Sequence, residues 1–203
     1  MPDVYMTRHG ETEWNLQIRM QGRNNSPLTD AGIAGACLLK EQIKDIPFTE
    51  CYASPLPRAL HTASILIGGR PVRLVPEKRL AEMDLGIWEG VRMEDARAAY
   101  PETFQNFRTH PDIFTPVSGG ENFYDVVSRA QSFLKSMELL KPADAPVLAV
   151  THGILLQAIM MLCEGRDMST LRSGQTVDQT RLFHIRHDGL KWHVLMRNGL
   201  KEE

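Results

Sequence analysis

Arg8 and His9 stand side by side where a short apolar run, Val4 to Thr7, ends and Gly10 lets the backbone turn. An arginine fork holds phosphate in a planar, bidentate way, and a neutral imidazole is one of the few side chains able to accept a phosphoryl group covalently. The pair points to phosphoryl transfer through histidine. Three more groups fall at matching places. Arg58 lies in the first turn of the helix expected after the second β-rich run, Glu82 in the loop after the third, and His152 directly after the fourth. In an open parallel sheet the ends that follow the strands face one crevice, so residues far apart in sequence converge there. Ser54 and Pro55 read as an N-cap followed by a first-turn proline, which would set Arg58 near the positive end of a helix and suit an anion.

The elements that must position these groups are legible in the hydrophobic pattern. Val4 to Thr7, Cys51 to Ser54, Val72 to Val75, Val147 to Thr151, Arg181 to Arg186 and Trp192 to Met196 read as strands, alternating in the first two thirds with helical patterns. This predicts an α/β fold: three layers, α/β/α, with a mainly parallel sheet. Asp188 and Gly189 form a hairpin turn signal, so the sheet should end in an antiparallel edge. The clearest helix runs from Asn122 to Leu140, with Phe123, Val126, Val127, Ala130, Phe133, Leu134, Met137 and Leu140 on one face. Residues 91–121 break the alternation with three prolines, two glycines and four aromatics, Tyr100, Phe104, Phe107 and Phe114. That length suits a partly helical cap insertion beside the site, its aromatics either lining a leaving-group pocket or forming the cap's own core.

At 203 residues the chain fits one domain spanning 1–203. A charged fraction of 24% and a hydrophobic fraction of 42% argue against disorder. A net charge of −2 with both signs scattered excludes a broad footprint for nucleic acid or an anionic membrane, so anion binding must be local. Three cysteines without a Cys-x-x-Cys pair suggest neither disulfides nor thiolate zinc, and a reducing cytoplasm fits. The most apolar stretch, Ile154 to Cys163, is too short to span a bilayer. His184, His187 and His193 read as exposed hairpin residues rather than metal ligands, and His61 as solvated or packed. Arginine and histidine chemistry needs no metal, so no cofactor is expected. Assembly into a homo-oligomer is left open.

The segment Arg8, His9, Gly10, Glu11, Thr12 and Asn15 resembles the signature of the histidine phosphatase superfamily, the phosphoglycerate-mutase-like enzymes. Further blocks occur in that family's order: Gln21-Gly22, Pro27-Leu28-Thr29 with Gly32, Ser54-Pro55-Leu56 with Arg58, Glu82, Gly86 with Trp88-Glu89-Gly90, Gly119-Gly120-Glu121 and Thr151-His152-Gly153. A lone Arg-His-Gly tripeptide would mean little, whereas the ordered set is specific. The resemblance implies His9 as the nucleophile that becomes a phosphohistidine, with Arg8, Arg58 and His152 holding the equatorial oxygens. Glu82 would serve as general acid and base. Asn15, Gln21, Gly22 and Gly153 would complete the phosphate site, for a small-molecule phosphorylated substrate.

Within that family the residues after Glu82 lack the Arg-x-Tyr-Gly sequence and nearby lysine of the cofactor-dependent phosphoglycerate mutases; Asp84 stands there instead. Cations for a second acidic group are therefore not expected beside Glu82, and the pattern Leu85-Gly86-Ile87-Trp88-Glu89-Gly90 resembles the family's phosphatases, including its broad-specificity and α-ribazole-phosphate members. The alternatives are a mutase and a non-catalytic phosphoprotein-binding module. Two departures from the family pattern are Asn25, where an aspartate is frequent, and Ser173-Gly174-Gln175-Thr176, where an asparagine-containing turn is usual.

Overall fold

The computed structural model describes residues 3–140, 145–173 and 177–201. Seven strands form one sheet: β1 (Asp3–Arg8), β2 (Glu50–Ala53), β3 (Arg73–Pro76), β4 (Val147–Thr151), β5 (Leu182–His187), β6 (Trp192–Arg197) and β7 (Leu200–Lys201), in the order β3-β2-β4-β1-β5-β6-β7. The pairs β3-β2, β2-β4 and β4-β1 are parallel, and β1-β5, β5-β6 and β6-β7 antiparallel. Three layers and an antiparallel edge agree with the sequence pattern. The two-residue β7 carries no periodicity signal and was not anticipated.

β4 explains the layering. All five of its residues are buried, as expected of a central strand covered on both faces. Leu148 and Val150 pack with α2 (Asp30–Gln42) and α3 (Pro57–Ile67). Val147 and Ala149 pack with the helices of the other layer, designated α6 (Phe123–Met137) and α7 (Gly153–Cys163). The remaining helices are α1 (Glu13–Leu16), α4 (Met93–Ala99) and α5 (Pro101–Thr109). α7 is apolar on every side except at Gln157, which faces the cavity, because the rest of it lies within the core. α6 starts where the sequence suggests: Asn122 caps it and exchanges hydrogen bonds with Asp125 in a capping box. Its periodic residues are buried or, for Val127 and Leu140, half-buried against the core. No helix among the described residues is long and apolar enough to cross a membrane.

Three local readings are corrected. The proline in the first turn of α3 is Pro57, not Pro55, and the cap position is Leu56, which has no capping side chain. Asn25 supplies the cap from another loop, its Oδ1 accepting the Arg58 N–H at 3.1 Å. His184 is buried rather than exposed, because it is stacked on Tyr5 at 4.0 Å and bonded to Asp3 at 2.5 Å. The hairpin between β5 and β6 does turn at Asp188 and Gly189, closed by Asp188 N–H to Lys191 C=O at 3.1 Å.

Residues 91–121 carry α4 and α5. Their aromatics Phe104, Phe107 and Phe114 gather around Trp88 at centroid distances of 5.6–6.0 Å, and Phe107 and Phe114 reach Phe123 of α6. The aromatics form no separate cap core, being continuous with the main one, and Phe107 alone of the four lines the site cavity. Tyr100 is at the exposed edge.

The loop after β1 is pinned by backbone. A Cβ on Gly32 would lie 2.2 Å from the Glu11 carbonyl oxygen and 2.7 Å from its nitrogen. Gly32→Ala should therefore cost about 1–3 kcal/mol through overpacking and lower the melting temperature, measured by calorimetry. An unchanged midpoint would show that the loop yields.

Candidate active site

Register builds the site. In the parallel pair of β1 and β4, Arg8 stands opposite Thr151, and the His9 N–H continues the ladder to the Thr151 carbonyl at 2.9 Å. The next residue of each strand, His9 and His152, therefore leaves the sheet at one level, with ring centroids 5.0 Å apart. The chain then diverges. β1 leads to α2 on one face and β4 to α7 on the other, which makes this the switch point of the sheet and opens the crevice.

The tautomer of His9 follows from its partners. Nδ1 lies 2.7 Å from the Gly10 carbonyl oxygen, which can only accept, so Nδ1 carries the proton. Nε2 then holds a lone pair and accepts from Arg58 Nε at 3.2 Å. Burial, then the charges of Arg58 and Arg8, hold the imidazole well below its usual pKa, with the Gly10 bond opposing. His152 is lowered in the same way, by burial first and then by Arg58, His9 and Arg8. Its Nε2 meets Ser54 Oγ at 2.7 Å, while Nδ1 is buried without a partner. Ser54, read from sequence as a helix cap, is thus the positioning partner of His152.

Arg58 is almost wholly buried and donates to three acceptors: Gly22 C=O at 2.6 Å, Asn24 C=O at 2.8 Å and His9. Burial lowers its pKa to about 10, which leaves it charged at neutral pH. The close approach at Gly22 needs glycine, since a Cβ there would sit 2.8 Å from the backbone oxygen of Met83. Arg8 donates Nη1 to the Val177 carbonyl at 2.9 Å, and its Nε is buried and unpartnered.

Glu82 follows a single-turn helix at Lys78–Leu80 and is buried. One oxygen accepts from the Met83 N–H at 2.9 Å and the other from Ile154 N–H at 3.2 Å, so the first turn of α7 orients it. The approach to it is held by Arg129, which donates to the Ala81 and Arg79 carbonyls and pairs with Glu121. Gly86 and Gly120, both at positive φ, let this segment meet the chain around Gly119 closely: a Cβ on Gly120 would lie 2.7 Å from the Asp84 oxygen. The neighbouring acids are otherwise engaged. Glu89 accepts from the N–H groups of Arg23 and Asn24 at 2.6 and 2.7 Å, and Asp84 from Gly86 N–H at 2.9 Å.

A cavity of about 410 Å³ opens over these groups. Arg8, His9, Asn15, Gln21, Glu82 and Gly153 line it; Arg58, bonded to His9 and Gly22, and His152, its ring 5.0 Å from that of His9, adjoin the wall through His9. Asn15 Oδ1 closes the α1 capping box with Thr12, and Gln21 bridges Thr12 and Ser26. His61 is exposed and apart from the wall. The wall also carries Arg19, Arg108 and Arg172, which no motif singled out. Cations beside the pocket, absent from the residues after Glu82, thus come from the chain after α1, from α5 and from the chain after α7. Of the 173–176 segment, residues 174–176 lie outside the described residues. Among the described residues no group of three or more His, Cys, Asp or Glu is placed to hold a metal ion.

A neutral imidazole beside buried guanidinium groups, at the switch point of a parallel sheet, defines an oxyanion site of the phosphoryl-transfer kind. The family model described as the histidine phosphatase superfamily (branch 1) matches residues 4–199, and the chain belongs to that family, in its phosphatase branch. A structure of Bacillus stearothermophilus YhfR is 34% identical with a TM-score of 0.94, covering 99% of this chain and 98% of that one. Phosphoserine phosphatase 1 of Hydrogenobacter thermophilus is 29% identical over 83% of this chain and 79% of its own. A probable phosphoglycerate mutase GpmB of Proteus mirabilis is 34% identical over 79% of this chain and 74% of its own.

Because the folded pKa of His9 and His152 lies below the unfolded value of about 6.5, the folded state binds fewer protons just below that pH. Their contribution to stability is complete above about pH 6.5 and is lost as pH falls through the window beneath it. In ¹⁵N-edited NMR, His9 should remain the neutral Nδ1–H tautomer at pH 6.5. An imidazolium signal for His9 at that pH would contradict the assignment.

Proposed function

We propose that the protein is a phosphatase that hydrolyses small-molecule phosphate monoesters through a phosphohistidine on His9. The observation that carries this reading is the buried His9 imidazole, protonated on Nδ1 and presenting Nε2 beside Arg58 at the base of the cavity. Binding phosphate gives the Arg58 Nε–H an oxygen to bond, freeing the Nε2 lone pair for in-line attack. The nitrogen–phosphorus bond forms as the ester oxygen–phosphorus bond breaks, and the leaving oxygen takes the proton of the Glu82 carboxyl. Arg8, Arg58 and His152, with its unpartnered Nδ1 carrying the proton, stabilise the equatorial oxygens. Asn15 and Gln21, from the wall, and Gly153, whose lack of a side chain keeps the approach to Arg8 open, complete the phosphate site. Water then attacks phosphorus, giving its proton to the Glu82 carboxylate, and inorganic phosphate leaves. No step calls for a metal.

A second reading, phosphoglycerate mutase, is favoured by the likeness to the probable phosphoglycerate mutase GpmB of Proteus mirabilis and by Arg108 and Arg172 in the cavity wall. Supplied with 3-phosphoglycerate and 2,3-bisphosphoglycerate, the protein should form little 2-phosphoglycerate and release inorganic phosphate; efficient interconversion would establish the mutase instead. A phosphoprotein-binding module would show neither activity.

His9→Ala should abolish turnover while chelator leaves the wild-type rate unchanged, and rapid quench with labelled substrate should trap an acid-labile, base-stable phosphoenzyme. Turnover persisting in His9→Ala would sink the mechanism. Glu82→Gln should slow the burst with an alkyl phosphate by about 100- to 10,000-fold while largely sparing p-nitrophenyl phosphate, whose phenolate needs no proton. Equal losses would make Glu82 a positioning residue.

A further inference from the structure

Glu82 is aimed by more than the first turn of α7, because a carboxylate away from the cavity wall grips the chain on both sides of it. Glu121, the residue before the Asn122 cap of α6, accepts from Arg129 Nε and Nη2 at 3.1 Å each and from the Asp84 N–H at 2.9 Å. Arg129 in turn gives its Nη1 to the Ala81 carbonyl at 2.5 Å and the Arg79 carbonyl at 3.0 Å. The Glu121 N–H closes the contact by donating to the Asp84 carbonyl at 2.9 Å. Ala81 directly precedes Glu82 and Asp84 follows it closely, and both are tied to one side chain.

The same carboxylate reaches the loop that holds Arg58. Arg23 Nη2 lies 3.1 Å from Glu121 Oε1, and Arg23 Nη1 lies 3.7 Å from Asp84. Arg23 stands between Gly22 and Asn24, whose carbonyls accept from the Arg58 guanidinium. Glu89 joins this loop to the segment as well, accepting from the N–H groups of Arg23, Asn24 and Leu85, but Leu85 lies beyond Asp84. Glu121 differs in holding the chain on both sides of Glu82. With side chains only 15% and 16% exposed, Arg129 and Glu121 form a two-bond, charge-assisted contact that salt screens little.

We propose that Glu121 is a positioning residue for proton transfer: by fixing the backbone before and after Glu82 relative to the loop that holds Arg58, it sets the distance between the acid and the phosphoryl group. This rests on the reading of Glu82 as general acid to an ester that phosphorylates His9. Glu121 does not line the cavity and acts only through Glu82. Without it, Glu89 and Asn25 still hold the Arg58 loop, so phosphate binding survives while the carboxyl is misplaced. A displacement of about 1 Å can cost about 100-fold in rate. The proton balance is unchanged: Glu82 still gives its proton to the leaving oxygen and regains one from water, more slowly.

Single-turnover cleavage with enzyme in excess isolates the first step. Glu121→Gln keeps the size of the side chain but offers one acceptor oxygen in place of two. It should slow cleavage of propyl phosphate by at least about tenfold and of p-nitrophenyl phosphate by less than about threefold, with inorganic phosphate bound within about threefold of the wild type by calorimetry. Arg129→Lys, which keeps the charge and loses the fork, should shift the two esters in the same unequal way. In a Glu82→Gln background, Glu121→Gln should add no further loss, because the proton it positions is gone. Equal losses with both esters, a propyl phosphate rate unchanged in both variants, or losses that add to those of Glu82→Gln would overturn the assignment. If Glu82→Gln itself failed to separate the two esters, the general-acid reading would fall and the positioning role with it. Separation in Glu82→Gln without separation in Glu121→Gln would refute the role of Glu121 alone.

Discussion

The arrangement depends on keeping one imidazole uncharged next to guanidinium groups out of contact with water. A protonated His9 would face Arg58 at 3.2 Å with neither bonded to a carboxylate among the described residues, an arrangement that burial makes costly. The Gly10 carbonyl directs the single proton to Nδ1, and Arg58 is satisfied through two backbone carbonyls, so its charge is held in place by oxygen dipoles rather than by an acid. An acid there would lower the demand for an external anion. Carbonyls leave that demand largely intact, and the cavity is poised to receive negative charge.

Rigid backbone supplies the precision. The β1-β4 register sets His9 and His152 level, Asn25 ties the start of α3 to the loop that also receives Arg58, and Glu89 holds the N–H groups of that loop from the opposite side. Glu82 is aimed by the first turn of α7, the helix whose cap residue is His152. Each chemically distinct group is thus joined by hydrogen bonds to an element that also carries another one. Displacing any of these loops would move at least two functional side chains together.

The cap segment answers a different requirement. Its aromatic residues merge with the core around Trp88 and Phe123, so α5 is anchored while its last turn presents Phe107 and Arg108 to the cavity. His9 and His152 come from the ends of strands, which are stiff; Arg108 and Arg172, on another part of the cavity wall, come from the cap and from the chain after α7. This division lets one part of the wall vary while the His9 side stays as it is.

Local pattern was enough for the strands, for α6 with its Asn122 cap and for the motif positions His9, Arg58, Glu82 and His152, because alternation, capping and short motifs depend on residues near one another in sequence. It also placed four of these groups at one crevice, since strand ends of a parallel sheet share an edge. It could not show that Asn25 caps α3, that Ser54 bonds His152 instead of capping, or that His184 is buried on Tyr5, since each depends on a partner distant in the chain. Arg108 and Arg172 stand 64 positions apart in unremarkable surroundings, and their meeting over Phe107 follows only from how α5 packs against the chain after α7. The residues that gather around His9 were therefore written in the sequence, whereas the charge that Arg108 and Arg172 bring to the cavity wall was decided by tertiary packing.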